Sequence, residues 1–397
     1  MKNRIIPLLL AAAMLLPVQA QTNPFVRGAD ISWCTEMEAN GHVFRNADGT
    51  ETDIFALMRE IGMTAIRLRV WVNPSLFGYG AWCDKTDVLN KARRAHAQGM
   101  DLMINFHYSD FFADPGTQNI PLDWQGMTTE QLKNAMANHT RDVLQALKDE
   151  GIAPRWVQVG NETNSGMLNP SGKIDWEQTG ADRFTNYVAF SNTGYDAVKE
   201  VFPDAYVIVH LGGSENPQWF FPDFIAAGGK VDMIGVSHYP TAEEWNSTDA
   251  SATHSNINAA QWVAQAVQQF GIPVMICETG FDVSKPALAD QVMTDLFSRM
   301  TAIPQCAGIF YWEPEVDGVW RPMYYTQLGW SAYGMGAFTA NGRPTAALNA
   351  FAGNTHDLNK VQGDKVQSTK VIRNGMLLIE RNEQLYTITG AEVKSSR

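Results

Sequence analysis

The sequence predicts an α/β fold, a (β/α)8 TIM barrel with a short C-terminal β appendage. Three observations lead there. Eight apolar strand-like runs alternate with amphipathic helical stretches, a pattern of parallel pairing. They occupy roughly 320 residues, the span of one large barrel domain. Polar residues collect at the C-terminal end of nearly every run, where a barrel keeps its chemistry. A doubly wound open sheet is the rival. It would carry a Gly-rich phosphate turn after an early strand, and "LGGSEN" after the fifth run is not that fingerprint.

The runs, in order, are "RGADISW" from Arg27, "TAIRLRVWV" from Thr64, "DLMINFHYSD" from Asp101 and "RWVQVGNE" from Arg155. "AYVIVHLGG" from Ala205, "DMIGVSHYP" from Asp232, "IPVMICETG" from Ile272 and "AGIFYWEP" from Ala307 complete the set. Between them lie "TDIFALMREIG", "DVLNKARRAHAQG" and "QLKNAMANHTRDVLQALKDEG", each ending in Gly, a helix stop.

Residues 1–20 read as a cleavable secretory signal. Lys2 and Arg4 precede an apolar core that ends in Val18-Gln19-Ala20, too short for a comfortable membrane span. Residues 21–352 are the expected catalytic barrel, and 353–397 a linker and β-rich tail. In the tail, Asn374-Gly375 is a hairpin signal between alternating runs, predicting two or three strands. The tail resembles the sorting or docking tails of some exported Gram-negative proteins, and a hairpin packed on the barrel is the other reading. Lys and Arg number 30 against 42 Asp and Glu, a net charge of −12. Losing Lys2 and Arg4 takes this to −14, which argues against nucleic acid as a partner. An exported monomer acting on a neutral substrate, with no transmembrane span, is expected. The four cysteines form no CxxC pair, so zinc is not indicated. Cys34 and Cys83 both follow early strands, and a disulfide between them is left open. Cys277 and Cys306 read as buried thiols.

The chemistry centres on two carboxylates. The fourth run ends in Asn161-Glu162 and the seventh in Glu278. In a barrel these ends face each other across the mouth, as retaining glycoside hydrolysis needs. An end-of-strand salt bridge is the alternative for either Glu alone. Asn161 is placed to hydrogen-bond a sugar 2-hydroxyl. Asp30 ends the first run and is a candidate hydroxyl partner. His107, His210 and His238 match no metal-ligand spacing and read as polar liners of a sugar site. Trp312 ends the eighth run and can floor a sugar ring. Trp71, Trp33, Trp124 and Trp320 are further platforms or core residues.

"RLRVWVNP", "FHYSDFFADPGTQNIPLDW", "VGNETNSGMLNPSG", "GVSHYP", "ICETG" and "FYWEP" together resemble the arabinogalactan endo-β-1,4-galactanases of glycoside hydrolase family 53, from about Arg27 to about Phe351. The resemblance implies that Glu162 is the acid/base and Glu278 the nucleophile of a hydrolase of β-1,4-galactan and galacto-oligosaccharides. It implies no cofactor. The residues by themselves do not say which Glu plays which part. Arg69 shares a strand face with Arg67 and Trp71; if that face points inward, Arg69 is expected to hold the nucleophile ionised, with Arg67 in a structural ion pair. Tyr239 is placed to hydrogen-bond Glu278. Phe112 stands where the family usually has Trp. Some bacterial members carry a calcium-binding D-x-D-x-H-x-N loop after the nucleophile; "GFDVSKPALAD" lacks it, and the acidic "EPEVDGVWRP" leaves calcium open elsewhere. Other retaining endo-glycosidases, acting on mannan, xylan or β-glucan, and a glycan-binding protein with little turnover are the alternatives.

Overall fold

The computed structural model describes residues 24–352 apart from Tyr79, and in the tail the strands Ser368–Arg373, Met376–Arg381, Gln384–Thr387 and Glu392–Val393. The expected signal segment and the Asn374-Gly375 turn lie outside the described residues. The eight barrel strands are β1 (Val26–Asp30), β2 (Ala65–Val70), β3 (Asp101–Phe106), β4 (Trp156–Val159), β5 (Tyr206–Leu211), β6 (Met233–Ser237), β7 (Val274–Thr279) and β8 (Cys306–Trp312). All pair in parallel with their sequence neighbours, and β1 closes on β8. Most of the cleft side chains stand at the C-terminal ends of the strands or just past them, with Arg67 and Asn105 reaching up from within β2 and β3.

Seven helices return the chain between strands: α1 (Ile54–Ile61), α2 (Lys85–Ala97), α3 (Thr129–Asp149), α4 (Thr185–Val201), α5 (Pro217–Ala226), α6 (Asn256–Phe270) and α7 (Pro286–Thr301). Their ends are written locally. The Asp53 carboxylate accepts from the Phe55 and Ala56 N–H groups at the start of α1. Thr128 and Gln131 form a reciprocal capping box at the start of α3. Gly62 and Gly271 end α1 and α6 in the left-handed conformation, which glycine adopts without steric cost.

The barrel interior is layered. Its floor is apolar, built by Val26, Ala65, Met103, Trp156, Ile208, Met233, Met275, Cys277 and Phe310. Above that floor the inward residues become polar, and two local distortions aim them. Val236 pairs with Ile276, but Ser237 pairs with Glu278, so Cys277 is an extra residue in β7. Met275 and Cys277 both belong to the floor, and strict alternation would send Glu278 outward. The bulge turns it inward instead. Just past β4, Glu162 has φ 46°, a left-handed conformation that an unbranched non-glycine side chain adopts only where its surroundings hold it.

One expectation changes and one open question is answered. The tail sheet has four antiparallel strands rather than two or three. Cys34 and Cys83 are separate buried thiols; the Cys83 Sγ points at Ser32 O, 3.6 Å away, and the Lys91 ammonium, 3.7 Å away.

Gly308 of β8 marks how closely the floor is packed. A Cβ there would lie 2.5 Å from both Cβ and O of Val26. Gly308→Ala is expected to destabilise the fold by about 1–3 kcal/mol through overpacking, measured by urea denaturation; an unchanged midpoint would contradict this packing.

Candidate active site

A cleft of about 300 Å³ opens at the C-terminal mouth of the barrel, lined by Glu162, Glu278, Asn161, His107, Tyr239 and Trp312 together with Phe112, Ala113, Asp114, Tyr325, Trp330, Tyr333 and Met335. Beneath it lies the fully buried guanidinium of Arg67. Its Nε donates to Gln158 Oε1 at 2.8 Å and its Nη1 to Asp30 Oδ2 at 2.7 Å. Its Nη2 donates to Asn161 Oδ1 at 2.8 Å and meets Glu278 Oε1 at 2.8 Å. Five N–H donors in a fixed fork suit this task.

The two carboxylates have different surroundings. Glu278 is buried, held at Oε1 by Arg67 and at Oε2 by the Tyr239 hydroxyl at 2.9 Å. Burial raises its pKa, and Arg67 is the strongest influence in the other direction. Among the described residues no such cation is in contact with Glu162. Its Oε1 accepts from the Ser237 hydroxyl at 2.6 Å. Burial first, and the neighbouring Glu278 charge second, push its pKa up to about 8. The arrangement therefore keeps the proton on Glu162 and the negative charge on Glu278.

Behind Glu162 lies His210. Its Nδ1 accepts from the Glu162 backbone N–H at 3.3 Å, and its Nε2 is 3.0 Å from Ser237 Oγ. Burial, followed by Arg67, holds its pKa well below the ordinary histidine range, so the ring is neutral. Nδ1 also lies 3.2 Å from Asn161 Oδ1, but with the Ser237 hydroxyl donating to Glu162 the ring proton belongs on Nε2, which donates to Ser237. Ser237 in turn directs its hydroxyl at Glu162. Asn161 is fixed as firmly: its Oδ1 accepts from Arg67 and from Asn105 Nδ2 at 3.0 Å, and its Nδ2 donates to Ala113 O at 2.8 Å. Among the described residues the second Nδ2 hydrogen has no hydrogen-bond partner, and Asn161 lines the cleft.

Of the residues singled out in the sequence, Glu162, Glu278, Asn161, His107, Tyr239 and Trp312 meet in the cleft. The Nδ1 of His107 accepts the Ala113 N–H at 2.9 Å, tying the ring to the loop after β3. Five others are corrected. Arg69 does not reach Glu278; it pairs with buried Glu313 and lies under Trp33, Trp71 and Phe112, 4.9–5.2 Å from their ring centroids. Arg67, assigned to a structural pair, is the residue on the nucleophile candidate. Asp30 offers nothing to a sugar: Oδ2 binds Arg67, and Oδ1 binds the Ser32 backbone N–H and hydroxyl. His238 is buried outside the cleft with Nε2 3.0 Å from Asn256 Oδ1. Trp71 is buried among Phe111, Phe112 and Tyr324. Trp33, Trp124 and Trp320 are likewise buried.

The comparisons with known proteins give the family. The sequence matches the family described as Glycosyl hydrolase family 53 over residues 26–351. The chain belongs to glycosyl hydrolase family 53. It is therefore a glycoside hydrolase. An arabinogalactan endo-beta-1,4-galactanase of Cellvibrio japonicus is 31% identical over 346 residues, 79% of this chain and 87% of that protein. An endo-beta-1,4-galactanase of Bacillus subtilis is 29% identical over 382 residues, 86% of this chain and 82% of that protein. Among solved structures, one of two fungal beta-1,4-galactanases superposes with a TM-score of 0.69 at 26% identity, covering 82% of this chain and 98% of its own. The family 53 catalytic domain of Ignisphaera aggregans does so with a TM-score of 0.69 at 26% identity, covering 87% and 99%.

Within the family 53 barrel, Phe112 keeps a place in the cleft while its ring covers Arg69. Two carboxylates of the acidic loop after β8 are engaged internally. Glu313 binds Arg69 and the Trp33 N–H, and Asp317 Oδ1 caps the Val319 and Trp320 N–H groups at 2.8 Å. Among the described residues no group of three or more His, Cys, Asp or Glu side chains is placed to hold a metal ion. The residues missed in the sequence are Ser237 and the aromatic wall of Tyr325, Trp330 and Tyr333.

Arg67→Met would strand Asp30 and Glu278 as buried charges without their cation. A loss of roughly 3–5 kcal/mol is expected, measured by urea denaturation, with partial recovery when Asp30→Asn is added. Near wild-type stability in the single variant would contradict the role given to Arg67.

Proposed function

We propose that the protein is an exported endo-β-1,4-galactanase that cleaves galactan chains of type I arabinogalactan with retention of configuration. The observation that carries this reading is the split of the two carboxylates in one cleft: Glu278 charge-paired with Arg67, Glu162 protonated to about pH 8. The names of the Cellvibrio and Bacillus relatives support the choice of polymer. The axial C4 hydroxyl of galactose curls such a chain, so a bent cleft would reject flat cellulose.

In the first step Glu278 attacks the anomeric carbon while Glu162 gives its proton to the departing glycosidic oxygen. The C1–O bond breaks and a glycosyl ester forms on Glu278. Glu162 is now a carboxylate, stabilised by the Ser237 hydroxyl that already points at its Oε1. In the second step Glu162 takes a proton from water, the water oxygen bonds to C1, and the ester bond to Glu278 breaks. Asn161 offers its second amide hydrogen to the sugar 2-hydroxyl, a contact that strengthens as charge develops. Tyr239 holds the attacking carboxylate in line. No cofactor takes part.

The test is reducing-end release from linear β-1,4-galactan beside β-mannan, xylan and carboxymethyl-cellulose, with products sized over time. Early mid-length fragments from galactan alone are expected. Activity confined to another polymer would discard the substrate, and binding of galactan without turnover would move the protein to the glycan-binding class. Glu278→Gln is expected to lose nearly all activity with its circular dichroism unchanged; wild-type-like turnover would sink the nucleophile assignment.

The pH dependence follows from the same split. A carboxyl whose pKa is raised keeps its proton until pH passes that value. So kcat/KM should fall as pH rises through about 8, when Glu162 loses the proton it donates. Ser237→Ala removes a hydrogen bond that favours the ionised form, and should move this alkaline limb to higher pH. A limb that stays in place would remove Ser237 from the account.

A further inference from the structure

Two of the chain's 12 tryptophans stand exposed, Trp330 at 45% and Trp176 at 50%. They belong to loops on opposite sides of the mouth. Trp330 follows β8 and lines the cleft. Trp176 follows β4, which lies four strands from β8 around the closed ring. Large exposed indoles bury well against the apolar face of a sugar.

Trp176 is connected to Glu162 by a continuous path. The loop after β5 passes beside Glu162: a Cβ on Gly212 would lie 3.2 Å from the Glu162 carboxyl carbon. Asn164 clamps that glycine through both backbone groups, at 2.8 and 2.9 Å. Asn216, in the same loop, donates to Gly212 O and accepts from Trp219 Nε1 at 2.7 Å. Trp219 opens α5 and meets Trp176 with ring centroids 5.4 Å apart, tilted by 48°. The Arg183 guanidinium lies 4.9 Å from the Trp176 centroid. In the same loop Glu215 accepts from Asn216 Nδ2 through Oε1 at 3.1 Å, while its Oε2 is shielded from solvent with no hydrogen-bond partner among the described residues, an acceptor for a sugar hydroxyl that displaces its cover.

We infer that Trp176 and Trp219, with Glu215, form a distal subsite for the leaving-group part of a galactan chain. This rests on the galactanase reading above. The direction comes from the chemistry. The sugar esterified to Glu278 stays on that side, and the leaving chain departs past the residue that protonates it, Glu162. The loops that flank Glu162 on that path are those after β4 and β5. The subsite favours long chains and sets where along a chain the cut falls.

The test uses the full chain and galacto-oligosaccharides of increasing length labelled at the reducing end, beside linear galactan. Trp176→Ala is expected to lower kcat/KM on galactan about tenfold, the order of one lost stacking contact. The loss should grow with the number of sugars on the reducing side. The labelled fragments should shorten, because a chain no longer held at the distal subsite is cut nearer its reducing end. Trp176→Phe should restore part of both effects, and Glu215→Gln should move the pattern the same way. Active wild type with unchanged rates and fragment pattern in Trp176→Ala would overturn the subsite alone. Lengthened labelled fragments would also overturn it, placing the indoles on the Glu278 side. Wild type silent on galactan would overturn the subsite together with the substrate reading.

Discussion

The structure depends on one buried cation. The Arg67 guanidinium reaches from β2 to Asp30 on β1, to Gln158 and Asn161 at the end of β4, and to Glu278 on β7. A charge so far from water is strongly unfavourable unless its partners are well aligned, and here two carboxylates and two amide oxygens surround it. The same contacts that permit burial also decide the electrostatics of the cleft. Arg67 stabilises negative charge on Glu278; that charge, together with burial, makes a second one on Glu162 unfavourable. An ion-pair network that ties strands together thus also distributes one proton between two acids.

The barrel supplies the geometry that lets one arginine do this. An apolar floor closes the lower part of the interior, so the polar layer begins at a defined height. The extra residue in β7 rotates Glu278 into that layer, and the left-handed conformation at Glu162 turns the end of β4 toward Ser237 and His210. Neighbouring loops then fix the remaining parts. Ala113 receives the amide of Asn161 and donates to His107, so the loop after β3 holds two cleft residues at once.

How much of this was legible in the sequence differs by residue, for physical reasons. Strand ends are visible as the change from apolar to polar, so Glu162, Glu278, Tyr239 and Trp312 could be placed at the mouth. Period-two alternation shows that Arg67 and Arg69 share a face, but it does not show depth. The register that sets Asp30 beside Arg67 gave Glu278 its cation in Arg67 and left Arg69 to Glu313. The same register removed Asp30 from the list of sugar contacts. His238 sits beside the cleft residue Tyr239 in sequence and Trp71 just past the end of β2, yet their side chains turn into packed surroundings, and burial is a tertiary property. Ser237 carried no signal, since a lone serine at a strand end is unremarkable until the opposing Glu162 is placed. The tail's hairpin chemistry was visible, while its full strand count was not.

The central claim is that Glu278, and not Glu162 or Glu313, carries the attacking charge. Trapping with an activated 2-deoxy-2-fluoro β-galactobioside, then digestion and mass spectrometry of the labelled peptide, tests it directly. The fluorine slows both steps and the good leaving group restores the first, so the glycosyl ester accumulates. The account predicts one label, on Glu278 in the segment that contains Ile276-Cys277-Glu278. A label on Glu162 or Glu313, with the native enzyme active on galactan, would contradict the division of charge that Arg67 is argued to impose.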